Sequence, residues 1–553
     1  MVRIPLWQRC GLAVFLATWS LPASRSTGGE QVRPEFADRR PVLKELFLDG
    51  QMVQDKRHLV AAFHQPMKRG VVLRCDRPWE SVMGGYPTVI RAAGRWHMFY
   101  TAGWWDSSTT DLGDPPDGAA MGRGALDCYA YSENGLQWIR PNLRRGELPA
   151  GLTRGTPELG TRFPVVPTGM TRDNNGFSPL FPIDLFRLGM DDPQRRFLMS
   201  KVSSRFSANF PDFLRDADWE AKFSEPLPGA QPAPQIHVGT LCYEAENRLW
   251  VCYGQVIGTD KPSVRVGPEP HQSRQIARFT STDMVAWDRT VVLQRDEGDH
   301  SELADCDEPM FFSARREGNL TIGFITRFHS DRSDRRYTHP LPYVWRKGTT
   351  DIELRVSRDG HHWSRVGGGR AWLPHSSDER GFDRLVMMGW GGEGVRVGDQ
   401  LWFYYTGFDG DHMGHDASGK LIAEDNYVRR GSIALATMRL DGYQSLRAGE
   451  TPGVLTTEPL TVSGPELIVN ADADSHFRNG ELRVEVLDVE GRAIEGYTAA
   501  DCAPMRADAV EFPVRWREGT DLGALLGRQI RLRFHLVRAE IFSYSIYGSA
   551  GLP

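Results

Sequence analysis

Hydrophobic and polar positions follow two rhythms along this chain. One is strict alternation. Glu481-Leu482-Arg483-Val484-Glu485-Val486-Leu487 and Ile530-Arg531-Leu532-Arg533-Phe534-His535-Leu536 put an apolar residue at every second place, the period of a strand with one face buried. The other rhythm is an aromatic-rich run that recurs along the chain. It reads Gly94-Arg95-Trp96-His97-Met98-Phe99-Tyr100-Thr101, then Arg195-Arg196-Phe197-Leu198-Met199, then Asn247-Arg248-Leu249-Trp250-Val251-Cys252-Tyr253. Asn319-Leu320-Thr321-Ile322-Gly323-Phe324 and Asp399-Gln400-Leu401-Trp402-Phe403-Tyr404-Tyr405 continue it. Each run is preceded by a second strand, at Thr88–Ala92, Pro179–Asp184, Val238–Tyr243, Met310–Ala314 and Gly394–Val397. The pattern predicts five hairpins.

A turn motif with a fixed spacing follows several of these hairpins. Ser132-Glu133-Asn134-Gly135-Leu136-Gln137-Trp138 has Asn two places and Trp six places after Ser. Ser281-Thr282-Asp283-Met284-Val285-Ala286-Trp287 and Ser357-Arg358-Asp359-Gly360-His361-His362-Trp363 repeat it. The chemistry is that of a tight turn: Asn or Asp accepts from local backbone N–H groups, Gly accepts positive φ, and Trp covers the next strand. Ser132 to Ser281 is 149 residues and Ser281 to Ser357 is 76, so one degenerate unit belongs between them, near Ser203–Ser207. A fifth lies at Leu440-Asp441-Gly442-Tyr443. Five units of about four strands over residues 75–445 predict an all-β fold, a five-bladed β-propeller. Insertions rich in Gly, Pro and charge interrupt it at Pro141–Arg172, Ser203–Pro234, Arg327–Thr350 and Asp409–Arg430. After Leu446 the alternating strands take over and predict a jelly-roll-like C-terminal β-sandwich. The expected division is 1–26, 40–450 and 451–553.

Composition changes this picture little. The 553 residues are 40% hydrophobic and 25% charged with a formal net charge of −5, which gives no reason to expect nucleic acid or an anionic membrane as partner. The 57 glycines, 35 prolines and 16 tryptophans fit many turns and indole-covered strands. The first residues add a compartment. Arg3 and Arg9 precede the apolar run Cys10–Leu21, and Pro22-Ala23-Ser24 offers small residues for cleavage. This reads as a secretory signal over 1–26, hence a secreted or periplasmic protein with no membrane after signal cleavage; an anchor that stays attached is the other reading. Cys75, Cys128, Cys242, Cys252, Cys306 and Cys502 then remain, open to disulfides or to burial as free thiols. Cys242 and Cys252 are symmetric about Asn247, which predicts that they face each other across that hairpin.

The five-unit count, the turn motif and the trailing sandwich resemble the superfamily of invertases, levansucrases and arabinanases, glycoside hydrolase families 32, 43 and 68. The closest features are Leu46-Phe47-Leu48-Asp49, Arg429-Arg430-Gly431-Ser432-Ile433-Ala434-Leu435-Ala436-Thr437 and Leu482-Arg483-Val484-Glu485-Val486-Leu487-Asp488. They are most similar to exported bacterial members of uncharacterised activity. The resemblance implies a carbohydrate substrate and acids presented where the inner strands begin. It also shows departures. The first blade reads Gly84-Gly85-Tyr86-Pro87 where families 32 and 43 place an Asp, and the nearest carboxylate is Glu80. Arg172-Asp173-Asn174 is similar to a family 32 Arg-Asp-Pro without its Pro. In the third blade His237 stands near the strand start in place of an acid.

Glycoside hydrolysis needs one carboxyl group protonated and another ionised. Asp307 and Glu308 precede the fourth blade's inner strand, and Glu393 precedes Gly394-Val395 in the fifth. Glu308 and Glu393 are therefore the expected acid–base or acid–nucleophile pair, with Asp173 as the third acid. Sugars are held by flat indoles and charged groups. Trp104, Trp105, Asp106, His237, Asp307, Arg327, His329 and Trp390 are the expected substrate contacts, while Trp138, Trp287 and Trp363 belong to the core. No cofactor and no metal site is expected. The crowd of Asp409, Asp411, His412, His415 and Asp416 reads as a hydrated loop, with a structural ion as the other reading. An exported glycoside hydrolase-like protein acting on a poly- or oligosaccharide is thus the expected function. A non-catalytic carbohydrate-binding propeller, or a lyase or phosphorylase on the same scaffold, are the alternatives.

Overall fold

The computed structural model describes residues 40–74, 83–92, 94–105, 123–141, 176–177, 181–184, 197–200, 205–207, 237–244, 246–259, 272–294, 307–330, 348–378, 381–389, 394–410, 412, 431–474 and 479–548. Among these residues the helices are short 3-10 turns, at Gly367–Gly369, Arg517–Gly519 and Leu522–Leu525. Everything else that is regular is strand.

Five groups of antiparallel strands succeed one another among the described residues, the fourth and fifth joined into one ten-stranded sheet by a parallel pairing of Thr350 with Leu385. The first blade joins Met83–Ala92, Arg95–Trp105, Arg123–Ser132 and Gly176–Phe177. The second joins Phe181–Asp184, Phe197–Ser200 and Arg205–Ser207. The third joins His237–Glu244, Leu249–Thr259, Gln272–Ser281 and Asp288–Leu293. The fourth joins Asp307–Glu317, Leu320–Ser330 and Gly348–Ser357, edged by Ser364–Arg365 and Ala371–Leu373. In the fifth, Leu385–Met387 and Val395–Val397 both pair with Gln400–Phe408, followed by Gly431–Arg439. Its outermost strand is Met67–Arg74, supplied from before the first blade. The last sheet is thus stitched to the first through the chain itself, which leaves the ring no loose end.

Neighbouring groups of strands meet around the ring. Met83–Ala92 lies beside Phe181–Asp184, and apolar side chains join the others. Leu198 of the second blade is buried with Leu241, Trp250 and Ala277 of the third. Tyr253 and Ile276 of the third pack with Phe312 and Ile325 of the fourth. Phe324 and Ile352 of the fourth pack with Phe403 and Tyr405 of the fifth. Val89 and Met98 of the first close the circle on Tyr404 and Ile433. Hydroxyls pin neighbouring blades at matching depths. Thr240 Oγ1 donates to Phe312 O (3.3 Å), Ser313 Oγ to Gly389 O (2.7 Å), and Thr406 Oγ1 accepts from Tyr86 N (2.7 Å). All are satisfied in a buried setting, so each contributes about 1 kcal/mol net and costs more if broken. This makes Gly85 obligatory: a Cβ there would lie 2.4 Å from Thr406 Oγ1. The Gly84-Gly85 stretch of the first blade is therefore where the ring closes.

The turn motif does what its spacing implies. Ser132, Ser281 and Ser357 each end the third strand of a blade. Each hydroxyl accepts from the N–H three residues on, at 2.9, 2.8 and 2.8 Å. Asn134, Asp283 and Asp359 each accept from the N–H groups two and three residues on. In the second blade Ser207 ends the equivalent strand.

The sandwich has two antiparallel sheets. One contains Leu43–Leu46, Val60–Phe63, Gln444–Ala448, Glu466–Asp472, Asp508–Pro513 and Ala539–Tyr547. The other contains Val53–Arg57, Gly453–Thr457, Leu460–Thr461, Glu481–Leu487 and Gln529–Val537. Phe47, Val469, Ile541 and Tyr544 meet Leu455, Val484, Leu532 and Phe534 in its core. The structure departs from the 40–450 and 451–553 division, because 43–63 and 444–448 lie in these sheets. The physical reason is Ala539–Tyr547, which is buried along its whole length. Its backbone needs partners on both edges: Glu466–Asp472 covers one, and Leu43–Leu46 with Gln444–Ala448 covers the other.

Cys242 and Cys252 do not face each other. Cys242 opposes Val251 and Leu241 opposes Cys252, so the two thiols lie on opposite faces of the sheet, each buried and outside any disulfide. Cys75 and Cys306 lie outside the described residues.

Candidate functional site

The inner strands of the blades start at one end of the ring, the mouth, and at the fourth blade this end is dense in ionisable groups. The register places Asp307 opposite His329 and Pro309 opposite Arg327, while on the next strand Thr349 faces His329 and Asp351 faces Arg327. Two clusters result.

The first is built on Glu308. Its carboxylate is 3% exposed and Oε2 accepts from Arg274 Nη1 at 3.0 Å. Arg274 arrives from the third blade and is itself 1% exposed. Its guanidinium lies 5.0 Å from the centre of the Phe328 ring, and the His412 ring meets the same Phe328 edge-on at 5.0 Å. His412 is held by its backbone, with its N–H donating to Gly348 O at 2.7 Å. Arg274 and Glu308 thus form a buried, hydrogen-bonded ion pair.

The second cluster is built on Asp351. Arg327 grips it through Nε (3.3 Å) and Nη2 (3.2 Å) and reaches Glu353 Oε2 at 3.0 Å and Gly369 O at 3.1 Å. His329 Nε2 stands 2.9 Å from Asp351 Oδ2. Burial pushes the Asp351 carboxyl up, but the hydrogen bond and charge of His329 and the charge of Arg327 outweigh it, so it sits below the usual range. His375 follows the outer strand of the fourth blade, and its ring centre is 6.4 Å from that of His329. Burial lowers the His375 pKa, Asp351 opposes this, and His329, Arg384 and Lys68 add to it. The net effect favours a neutral imidazole. Lys68 Nζ meanwhile bonds Asp383 Oδ2 at 2.6 Å, and Tyr405 Oη donates to the same oxygen at 3.1 Å.

The expected site residues divide accordingly. Glu308, Arg327 and His329 sit in these two clusters. Asp307 and His237 begin inner strands as expected, but their side chains are outside the described residues. Trp104 and Trp105 end the second strand of the first blade, opposite Gly124 and Arg123; their side chains too lie outside. Asp106, Asp173, Trp390 and Glu393 fall outside the described residues altogether. The strand that Glu393 was expected to open begins earlier. Leu385 pairs with Phe408 at the mouth end, whereas Val395–Val397 pairs with Gln400–Trp402 at the far end. Val395 therefore does not open the inner strand, and Glu393 itself lies outside the described residues.

Sequence reasoning missed Arg274, Asp351 and His375, and read His412 only as part of a hydrated loop. Asp351 was hidden because Arg327–Thr350 reads as an insertion, whereas strand continues to Ser330 and resumes at Gly348. Arg274 stands at the start of an alternating strand after a Pro- and Gly-rich stretch, a weak signal available in the sequence. His375 and His412 carry no such signal. Among the described residues no group of three or more His, Cys, Asp or Glu is placed to hold a metal ion.

No family model and no curated protein matches this sequence. Solved structures do match in part. A glycoside hydrolase is 15% identical, with 68% of this chain and 93% of that chain covered and a TM-score of 0.36. A GH130 glycoside hydrolase that targets β-1,2 mannosidic linkages in Candida mannan is 12% identical over 73% and 95% (TM-score 0.33). An α-L-arabinofuranosidase from Podospora anserina is 11% identical over 68% and 98% (TM-score 0.33). Superpositions this loose leave the fold to rest on the chain's own strand pairing.

Proposed function

We propose that this protein is an exported carbohydrate-acting enzyme that hydrolyses glycosidic bonds of a poly- or oligosaccharide held at the propeller mouth. The observation that carries the reading is the mouth end of the fourth blade. There Arg274 fixes Glu308 on one face of the sheet, and the Asp351–His329–Arg327 group stands on the other face. A fixed carboxylate is one of the two acid groups that cleavage of an acetal requires. Glu308, held by Arg274, fits the ionised role. The protonated role falls to an acid from another blade, with Asp173 and Glu393 the candidates from the sequence. One observation favours a second reading, a binding propeller without turnover: Glu308 is almost fully enclosed.

A panel of plant, fungal and bacterial polysaccharides, read by reducing-end release, tests the first reading. Glu308→Gln and Glu393→Gln should each lower turnover by about two orders of magnitude or more on whichever glycan is cleaved. Release that persists in both variants overturns the assignment. Binding without release by the parent protein replaces it with the second reading.

A further inference from the structure

We infer that Tyr86 is the platform on which a neutral sugar ring lies at the propeller mouth, with the C–H face of the sugar against the tyrosine ring; that the ligand is a saccharide rests on the function proposed above.

Backbone conformation sets Tyr86 apart. Eight described residues other than glycine have positive φ. Seven of them, His58, Arg248 and Arg538 among them, stand in turns, bends or a 3-10 turn between elements, where the chain reverses. Tyr86, at φ 51°, alone stands within a strand, Met83–Ala92. The left-handed conformation is costly for a bulky side chain, and such strain collects at ligand sites. Glycine at this place would remove the cost. The backbone contact there does not call for tyrosine, because the N–H that donates to Thr406 Oγ1 at 2.7 Å is common to every residue but proline. What the position gains from tyrosine is the side chain.

A bulge aims that side chain across the axis. Gly85 opposes Thr101 and Thr88 opposes Phe99, so Tyr86 and Pro87 together stand against Tyr100. The inner strands of the third and fourth blades shift register at the same end, between His237 and Gly239 and between Pro309 and Phe311. Bulges of this kind re-aim side chains beside functional sites, and the one in the fourth blade follows directly on Glu308. The first blade packs beside the second and the fifth. Tyr86 nevertheless meets Phe311 of the fourth edge-on, with ring centres 5.5 Å apart, and its Oη donates to Met387 Sδ of the fifth at 3.7 Å. A side chain in contact with both reaches over the axis and does not sit in the seam between two adjacent blades.

The ring caps an apolar floor. Met310, Phe311, Phe328, Leu385, Met387 and Phe408 form a buried cluster at this end, each at most 4% exposed, and Tyr86 packs on it half-buried. Glu308 is the cross-strand partner of Phe328, so the floor adjoins the carboxylate. A sugar ring has a C–H face and a rim of hydroxyls. An aromatic floor bordered by a carboxylate matches both.

The test follows the tyrosine itself. Full-length protein carrying 13C-labelled tyrosine is titrated with xylohexaose, cellohexaose, mannohexaose and arabinohexaose, each to about 10 mM so that a millimolar site is mostly filled. The Tyr86 ring resonance is the one lost in Tyr86→Phe. The expected result is that at least one hexaose shifts this resonance. Tyr86→Phe, which keeps the ring, should bind that hexaose within about threefold of the parent, and Tyr86→Gly should bind it about tenfold or more weakly. Should Tyr86→Gly not fold, the shift in the parent protein decides alone. If no hexaose moves the Tyr86 resonance, or if Tyr86→Gly binds as tightly as the parent, the inference is overturned. Failure of the hydrolase reading looks different. A hexaose that moves Tyr86 and is not cleaved keeps the platform and removes the turnover, whereas cleavage with Tyr86 unmoved keeps the turnover and removes the platform.

Discussion

At the scale of single residues, the three copies of the turn motif show which positions are interchangeable. Gly135 and Gly360 sit at φ 75° and 74°, and Met284 takes the same place at φ 62°. A Cβ on Gly360 would lie 2.7 Å from Tyr253 Oη and 2.8 Å from Arg278 Nε. Gly360→Ala should therefore cost about 1–2 kcal/mol, from the left-handed backbone and from crowding together, measured as a shift in denaturant midpoint with an unchanged slope. Met284→Gly relieves the backbone, worth about 1 kcal/mol. It also removes a side chain that is 1% exposed in the core between the second and third blades, worth about 2–3 kcal/mol. The loss is larger, so Met284→Gly should destabilise despite the better turn; a stabilised variant would show that the side chain contributes little packing. The motif was legible in sequence because all its bonds close within seven residues. The Cys242 and Cys252 pairing was not, because register depends on loop parity. Glu244 pairs with Leu249 across four residues, helped by Arg248 at φ 52°, and that parity moves the two cysteines to opposite faces.

At the scale of elements, the Glu308–Arg274 pair links the inner strand of one blade to the third strand of another. Glu308→Gln keeps the shape but leaves the guanidinium of Arg274 buried without its counter-charge. We expect a loss of about 1–3 kcal/mol, so the variant should melt measurably below the parent. Replacing both, Arg274→Met with Glu308→Leu, removes the stranded charge and should recover much of that stability, as apolar replacements of buried pairs do. Activity separates the roles. If Glu308 only braces the blades, the double variant regains turnover along with stability; if it acts on the substrate, stability returns and turnover does not. Glu308 was legible because a carboxylate before a hydrophobic strand stands at a strand start wherever that strand lies. Its partners were not, since Arg274 and His412 reach Phe328 from two different blades across distances in sequence that no local pattern records. The fifth blade misled for another reason: a Gly-rich stretch splits its inner strand, so that Val395–Val397 resembles a beginning while the pairing starts at Leu385.

At the scale of the whole molecule, the sandwich is bound to the propeller by charge as much as by apolar contact. Alternation made its C-terminal strands legible. Leu43–Leu46 and Val60–Phe63 were not, being four residues each, too short to show a period. Yet Leu43–Leu46 carries the contact. Lys44 Nζ lies 2.8 Å from Glu317 at the far end of the fourth blade's inner strand and 2.7 Å from Asp441 beyond the fifth blade. Arg315 also pairs with Glu317, and Ser543 of the sandwich donates to Asp441 at 2.7 Å. One residue along, Glu45 and Asp49 hold Arg358. Burial alone would push the Glu317 carboxyl up, but Arg315 and Lys44 overcome it and hold it at about 2 against an ordinary 4.5. The unfolded chain therefore takes up this proton at a higher pH than the folded one, so the contribution is full above pH 4.5 and is lost as pH falls from there toward 2. The span amounts to roughly 3 kcal/mol. Glu45 works in the other sense, because burial, partly offset by Arg358, raises its pKa, so it favours the fold as pH falls. Asp351, held low by His329 and Arg327 against its burial, adds to the sense of Glu317. The net expectation is acid destabilisation beginning below pH 4.5, with the sandwich loosening from the blades. Chemical denaturation at a series of pH values should show the midpoint falling over that window, and Glu317→Gln should flatten it while lowering stability at neutral pH. A Glu317→Gln variant whose pH profile stays parallel to the parent would mean that the Lys44 clamp does not set the acid limit of this fold.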